Sequence, residues 1–365
     1  MAGRASLVAT IESPIDRDLA DYPEVLHWPG RRLLVHRGDA EVVTRDIRLP
    51  NADSLPEVRF PAPWPRGIGK VSVAPDQNAM VFAGVHAVRL VGADGATVWE
   101  LRHGCWAEQC AEFHESFAEY AGDRAHTRAN RGSAAFSADG SLVWAHVRGP
   151  LADVPATESG QELWVLLEAA TGRILGHAPT QTYASGSQHT VFPDPARMAL
   201  SVAEGEEDSP VFHGRWDGRE LTVEQLDIDL KLLDVSPSGR FLMTVTSGQE
   251  FIILYDAEDG AELREIEVEP SVPPHPDSTD EDDRRLWDYE GAFVDDDIVI
   301  AGTTESDLEF GDSRHWLIDT RDMSLLAEAS YPLPIDGPPR PAGDGTWYTV
   351  SWDGTAVLLW SLTAE

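Results

Sequence analysis

The residues with the clearest chemical potential are two cysteines and two histidines that lie close together in the chain. Cysteine occurs at only two of the 365 positions. Both have a histidine nearby, and the four residues are His103, Cys105, Cys110 and His114. Thiolate sulfur and imidazole nitrogen are the usual ligands of a structural zinc ion. If the segment is helical, Cys110 and His114 share a face, and His103 with Cys105 could fold back to complete a Cys2His2 site.

The same segment also fits a purely structural role. Its apolar residues recur at helical spacing, with glutamates mostly on the opposite side, and they are Trp106, Cys110, Phe113, Phe117 and Tyr120. That pattern predicts an amphipathic helix lying on the rest of the protein, with Cys110 as a small buried residue. The sequence leaves both interpretations open. We expect a helical insertion over residues 102–132, and zinc is the only cofactor that the sequence suggests.

Positive charge is scarce in this chain. Lysine and arginine together number 28 against 63 aspartates and glutamates, which gives a formal net charge of -35. Phosphate-rich surfaces would be repelled, so nucleic acid and anionic membranes are not expected partners. Lysine occurs only at Lys70 and Lys231. The positions of the few cations therefore carry information.

Motifs for covalent or phosphate chemistry are absent from the sequence. It contains no GxSxG, no GxxxxGK[ST] and no HExxH. Ser187 lies two residues before His189, but no acid that would orient the histidine can be identified. We name no catalytic residue and expect a protein without enzymatic activity.

The elements that would position these residues are repeated hairpins. Five stretches share an apolar run, a turn rich in Pro, Asp, Gly or Ser, and a second apolar run, at 71–78, 134–146, 191–202, 233–245 and 291–302. Four of them continue directly into a second hairpin. Equivalent turn positions recur at intervals of 44 to 63 residues, at Asp76, Asp139, Asp194, Ser238, Asp295 and Asp344. Four short strands per unit at this period predict propeller blades with loop insertions.

Counting the units gives seven. The first covers 25–47 with a further strand near 55–60, and the last covers 343–362 with an innermost strand near 335–341. The last unit lacks an outer strand, which residues 5–12 can supply. The sequence thus predicts an all-β, seven-bladed β-propeller of four-stranded antiparallel blades, closed by the N-terminal strand, as a single domain over 1–365. The insertion 102–132 falls between blades two and three.

Aligning the blades brings a second set of residues together. Residues near the start of each innermost strand ring the mouth of the central channel, and the cationic ones are Lys70, Arg131, His189, Lys231 and Arg340. Such a ring would attract a carboxylate or phosphate ligand. Alternatively, neighbouring acids neutralise it, and the candidates are Glu204, Glu206, Glu250 and Glu290. Trp287 and Tyr289, on the same face, are a candidate interaction surface.

The chain resembles the WD-repeat and related seven-bladed propeller families over nearly its whole length. The resemblance rests on the hairpin pattern and on Trp164, Trp316 and Trp360 in third-strand positions, while the terminal Trp-Asp and Gly-His signatures are largely absent. It looks like a divergent member, similar to actinobacterial WD-repeat-like proteins. This resemblance implies the fold and carries no catalytic residues.

The functional expectation is a non-catalytic platform that binds a protein or peptide partner. The alternative is a protein or enzyme that binds a small anion at the cationic channel mouth. The first residues, MAGRASLVATIESP, lack the apolar core of a signal peptide, and no stretch of about 18 apolar residues occurs. We therefore expect a cytoplasmic location.

Overall fold

The chain folds into seven four-stranded antiparallel sheets. The structure, a computed structural model, describes residues 3–47, 56–127, 131–152, 154, 160–205, 209–279, 284–305, 310–311 and 313–363. The first strand, β1, spans Ala5–Glu12. Blade one comprises β2 Glu24–Trp28, β3 Arg31–Arg37, β4 Glu41–Asp46 and β5 Glu57–Pro61. Blade two comprises β6 Lys70–Val73, β7 Ala79–Ala83, β8 Ala87–Gly92 and β9 Thr97–Arg102. Blade three comprises β10 Ser133–Phe136, β11 Leu142–Arg148, β12 Glu162–Glu168 and β13 Ile174–Pro179.

The remaining blades follow the same order. Blade four comprises β14 Gly186–Val191, β15 Arg197–Ala203, β16 Val211–Trp216 and β17 Leu221–Asp227. Blade five comprises β18 Leu230–Val235, β19 Phe241–Thr246, β20 Phe251–Asp256 and β21 Glu262–Glu267. Blade six comprises β22 Arg285–Phe293, β23 Ile298–Glu305, β24 His315–Asp319 and β25 Ser324–Glu328. Blade seven holds β26 Asp336–Gly343, β27 Thr346–Val350 and β28 Ala356–Leu362. The helical segments within the described ranges are short, namely 3-10 turns at Arg17–Leu19 and Phe117–Glu119 and helices α1 Arg124–Thr127 and α2 Val268–Ser271.

These sheets form the predicted seven-bladed β-propeller. From blade two to blade seven the first strands of neighbouring blades contact one another, and β2 meets β26 to close the ring. In the seventh blade the sheet order is β1-β28-β27-β26, so the N-terminal strand supplies the outer strand as expected. Ile11 pairs with Val357 in this sheet and is fully buried. No helix of the described residues is long and apolar enough to cross a membrane.

Burial explains the apolar runs that define the repeats. The second strands β7 and β27 are buried at every residue, because neighbouring blades cover both of their faces. The fourth strand β25 instead alternates between exposed and half-buried residues, since one of its faces meets solvent. Continuous apolar runs and alternating runs are therefore found at different distances from the channel.

The turns between first and second strands are built as the sequence suggests. Each aligned turn position from Asp76 to Asp344 lies between the first and second strands of blades two to seven. At Asp139 the carboxylate accepts the backbone N–H of Ser141 at 3.0 Å, and Gly140 takes a φ of 74°. A side chain on Gly140 would also lie 3.1 Å from Pro75 of the preceding blade. Small residues are needed here both for backbone conformation and for blade packing.

The propeller has two distinct faces. Residues near the starts of first strands cluster at one end of the channel, where Lys70, Arg340 and Glu24 interact electrostatically. At the other end, His27 and Asp234 line a small cavity of about 100 Å³. We call the first end the mouth face and the second the opposite face. Because strands alternate in direction, the connections from fourth to next first strands and from second to third strands lie on the mouth face.

Candidate functional site

The insertion between β9 and β10 is mostly irregular and does not form the expected long amphipathic helix. Its described residues contain only the 3-10 turn Phe117–Glu119 and the single helical turn of α1. Backbone groups bond to the neighbouring blades instead of to the next turn of a helix. The N–H of Trp106 donates to Val85, and the N–H of Gly104 donates to the carbonyls of Arg148 and Pro150. Trp106 and Tyr120 are nevertheless buried, whereas Phe113 is exposed.

Two cysteines and two histidines converge in this insertion. One ligand atom from each of Cys105, Cys110, His114 and His126 lies within 4.8 Å of the others. The Sγ of Cys110 is 3.3 Å from Nε2 of His114, and the Nε2 atoms of His114 and His126 are 3.2 Å apart. Cys105 and His114 are buried, while Cys110 and His126 are half-buried. Three of these residues are the predicted ligands, and His126 is new.

His103, the fourth residue of the sequence prediction, lies outside the cluster. It is 1% exposed, its Nδ1 lies 2.8 Å from the carbonyl oxygen of Gly104, and its ring packs on Trp106. Burial lowers the pKa of His103 to about 3, so its imidazole is neutral. His126 was missed because it lies 16 residues beyond Cys110 in the sequence. Only the path of the insertion brings it back to the cysteines.

Both clustered histidines face a carboxylate with their other ring nitrogen. Nδ1 of His114 is 3.2 Å from Glu119 Oε2, and Nδ1 of His126 is 2.7 Å from Asp123 Oδ2. The ring of Tyr120 stacks on His126, and its hydroxyl bonds to Nδ1 of His86 in blade two at 2.5 Å. Through Tyr120, the cluster is connected to blade two. Cys110, His114 and His126 also line an open cavity of about 990 Å³.

Three of the predicted cations do meet at the channel mouth, together with acids. Lys231 donates from Nζ to the carbonyl oxygen of Tyr289 at 2.8 Å and lies 4.0 Å from Glu290. Arg340 interacts with Glu290 and Glu24. Burial raises the pKa of Glu24, with Lys70 and Arg340 opposing that rise. The mouth is therefore a mixed cluster in which acids offset part of the positive charge.

The other two predicted cations have different surroundings. Arg131 forms an ion pair with Glu108 of the insertion at 2.6 Å. His189 accepts the indole N–H of Trp164 at Nε2, at 2.9 Å, and its Nδ1 lies 3.0 Å from the Ser133 hydroxyl. Burial lowers the pKa of His189 to about 3. His189 is thus an uncharged link between blades three and four.

The neutralising acids proposed from the sequence have varied positions. Glu290 lies near Lys231, as described above, while the carboxylate of Glu204 accepts the backbone N–H of Tyr183 at 2.5 Å. The backbone N–H of Glu250 bonds to the hydroxyl of Thr246 in the turn after β19. Glu206 lies outside the described residues. Of the three proposed acids that the structure describes, Glu290 is the one seen beside a lysine.

The two predicted surface aromatics differ in exposure. Trp287 is fully buried and donates its indole N–H to the carbonyl of Ile266, so it does not present a surface. Its position at the start of a blade made it resemble a rim residue, but it packs between blades. Tyr289 is 39% exposed and its hydroxyl donates to the carbonyl of Ser247. Tyr289 remains on the mouth face as expected.

Exposed apolar side chains are distributed unevenly over the molecule. Among the residues that the structure describes, every exposed large hydrophobic side chain lies on a fourth strand or on the mouth face. Those on the mouth face are Leu19, Tyr22, Phe113, Tyr183, Ile228, Tyr289, Phe310, Leu333 and Trp352, and those on fourth strands are Val8, Val98, Leu263 and Leu326. Tyr183 and Trp352 are the most exposed, at 86% and 75%. The opposite face carries none within the described residues.

Comparison with solved structures agrees with the fold. The β-propeller domain of Cps50 (Swd1) from Myceliophteria thermophila has 12% sequence identity and a TM-score of 0.55, covering 98% of this chain and 100% of that one. The Pan2 WD40 domain of Neurospora crassa has 11% identity and a TM-score of 0.55, covering 100% and 98%. These likenesses show a propeller fold shared with WD40 proteins.

Enzymes also share the fold. A prolyl endopeptidase structure matches with 11% identity and a TM-score of 0.54, covering 98% of this chain and 51% of that one. No family model matches the sequence, and no curated protein is similar to it. The resemblance to actinobacterial proteins therefore stays a prediction, and function has to be argued from this chain's own surfaces.

Proposed function

We propose that the protein is a non-catalytic platform that binds a protein or peptide partner on its mouth face in the cytoplasm. The observation that carries this proposal is that the exposed aromatic side chains of the described residues all lie on that face. Aromatic residues that are exposed yet held by a rigid scaffold are the usual anchors of protein interfaces. The WD40 domains with the same fold are consistent with such a role.

The charge of the molecule restricts the partner. A net charge of -35 repels acidic surfaces at long range and accelerates association with basic ones. The partner should therefore present apolar side chains surrounded by lysine or arginine. Its association rate should fall as salt concentration rises, because screening weakens the attraction.

Site-specific photo-crosslinking in the native host tests the proposal. A photoreactive amino acid placed at Tyr183 or Trp352 should capture the same partner, while one placed at Leu326 on the fourth strand β25 should not. Leu326 is 41% exposed and serves as the matched control. Replacing Tyr183 and Trp352 by serine should weaken the complex by at least ~10-fold for each hot-spot residue. Equal capture at Leu326, or no common partner at the two face positions, would contradict the platform.

A small anion at the channel mouth is the second candidate. Lys70, Lys231 and the hydroxyl-bearing Ser187 and Ser201 line an open cavity of about 620 Å³ there. A phosphate bound at 100 times its dissociation constant would stabilise the folded protein by about 2.7 kcal/mol. This stabilisation can be measured by comparing thermal unfolding in phosphate with thermal unfolding in sodium chloride of equal ionic strength. Saturable stabilisation that is lost in Lys70→Met/Lys231→Met would support an anion site, and identical responses of both proteins would exclude it.

A further inference from the structure

We propose that Cys105, Cys110, His114 and His126 bind one structural zinc ion. The ion would fix the insertion between blades two and three onto the mouth face. This site is independent of the proposed function. It differs from the site expected from the sequence in its fourth ligand, because His126 takes the place of His103.

The separation of the four side chains fits a tetrahedral ion. Zinc bonds of ordinary length place two imidazole nitrogens about 3.3 Å apart and two thiolate sulfurs about 3.8 Å apart. The Nε2 atoms of His114 and His126 are 3.2 Å apart, and Cys110 Sγ is 3.3 Å from His114 Nε2. All four ligand atoms lie within 4.8 Å of one another. Two of the separations are thus those of a zinc coordination shell, and shifts of about 1 Å would bring the remaining ligand atoms onto the same ion.

The orientation of the two histidine rings favours a metal ion between them. Each Nδ1 faces a carboxylate, Glu119 for His114 and Asp123 for His126, and an ionised carboxylate only accepts hydrogen bonds. Both Nδ1 atoms must then carry the proton. In the neutral imidazoles that bind metals, Nε2 is then the atom with the free lone pair, and the two Nε2 atoms lie 3.2 Å apart in a site where His114 is only 4% exposed. A metal ion turns these two lone pairs into ligands.

The carboxylates have a second effect. Histidines that bind zinc commonly donate their other N–H to a carboxylate, which fixes the ring and strengthens the metal bond. Here both histidines have that partner, although Glu119 and Asp123 belong to different turns of the insertion. If the four side chains only packed against one another as an apolar cluster, neither histidine would need a carboxylate to accept its Nδ1–H.

The ligand set identifies the metal and its role. Two sulfurs with two imidazoles select zinc over magnesium or calcium, which prefer oxygen. Four protein ligands leave no open position for a substrate or water, so the site is structural and not catalytic. The described part of the insertion has very little regular secondary structure, and a bound ion would supply the cross-links that strands supply elsewhere.

Zinc content and cobalt spectroscopy test the site directly. The full chain, purified without chelator or polyhistidine tag and with its thiols reduced, should hold close to one zinc ion per molecule. Replacement by Co(II) should give the visible bands of a tetrahedral ion and a near-ultraviolet thiolate charge-transfer band. Reduced protein that binds no zinc on titration would overturn the proposal, as would a Cys105–Cys110 disulfide in protein purified under reducing conditions.

Histidine variants separate the two candidate ligand sets. His126→Asn should lose stoichiometric zinc, while His103→Asn and the exposed His177→Asn should keep it. Asp123→Asn, which leaves every ligand in place, should weaken zinc binding by roughly 10–100-fold. Zinc affinity unchanged in His126→Asn, or lost in His103→Asn, would overturn the assignment. The Asp123→Asn affinity and the cobalt spectrum decide the question even if the His126 variant folds poorly.

Discussion

At the scale of single residues, buried and half-buried polar groups join neighbouring blades. His189 of blade four bonds to both Trp164 and Ser133 of blade three. Asp234 of blade five accepts the N–H of Phe293 in blade six at 2.8 Å, as well as the N–H of Val235. Such groups are costly to bury unless each has a partner, so they fix the relative position of the blades.

Asp234 makes a prediction about pH. Burial raises its pKa to about 7, above the ordinary value of 3.8. The folded state therefore binds a proton between pH 4 and 7 that the unfolded chain has released, so this residue's contribution to stability is lost as pH rises through 7. The difference in unfolding free energy between the parent and Asp234→Asn should fall by up to ~1.4 kcal/mol per pH unit over that range. It should then level off above pH 7.

Asp353 provides a control of opposite sign. Hydrogen bonds from Ser351 and Thr355 hold its pKa at about 2. The carboxyl group is ionised in both folded and unfolded states between pH 5 and 7, so the effect of Asp353→Asn should not vary there. Urea unfolding at several pH values measures both variants. A parallel pH dependence of the two would refute the assignment to Asp234.

At the scale of elements, the N-terminal strand and the insertion are stabilised differently. Strand β1 is held by an antiparallel ladder to β28 and by the fully buried Ile11. Without it, the apolar strand Ala356–Leu362 would be an unpaired edge, which favours aggregation. The insertion has no comparable ladder within its described residues, so side-chain contacts and backbone bonds to the blades hold it.

A pair of substitutions on β1 tests the ring closure. Ile11→Ala should lower the free energy of unfolding by about 2–5 kcal/mol, because it leaves a cavity between β1 and the adjacent strands. Val8→Ala on the same strand should change it by less than ~0.5 kcal/mol, since Val8 is 49% exposed. Chemical unfolding measures both. Equal small effects would mean that β1 contributes little to the closed ring.

At the scale of the whole molecule, the two faces of the propeller have separate properties. Where the structure describes it, the opposite face carries tight turns such as that at Asp139 and Gly140, which set the blade architecture. The mouth face carries the insertion between blades two and three, the exposed aromatics of the described residues, the mixed charges of the channel and the Cys/His cluster. Loops positioned by a rigid scaffold commonly carry function, so the mouth face is the side on which to look for it.

The sequence by itself determined the fold to the level of blade number and ring closure. Hairpin periodicity is local, and each unit repeats the same turn chemistry, so Asp76 to Asp344 could be aligned without a structure. The same regularity located the start of each first strand, and with it Lys70, Lys231 and Arg340 at one mouth. Three of the four clustered Cys and His residues were also found, because they are near neighbours in the chain.

Only the tertiary structure decided which other residues belong to the Cys/His cluster and which of the residues predicted at the channel mouth are charged or exposed. His126 joins the cluster, and His103 leaves it, because the insertion bonds to the blades instead of forming a helix. Trp287 is buried and His189 is neutral because neighbouring blades enclose them. The sequence of a single blade does not reveal this enclosure. Contacts within one hairpin follow from the order of residues, whereas contacts between blades and loops depend on the closed ring that brings distant segments together.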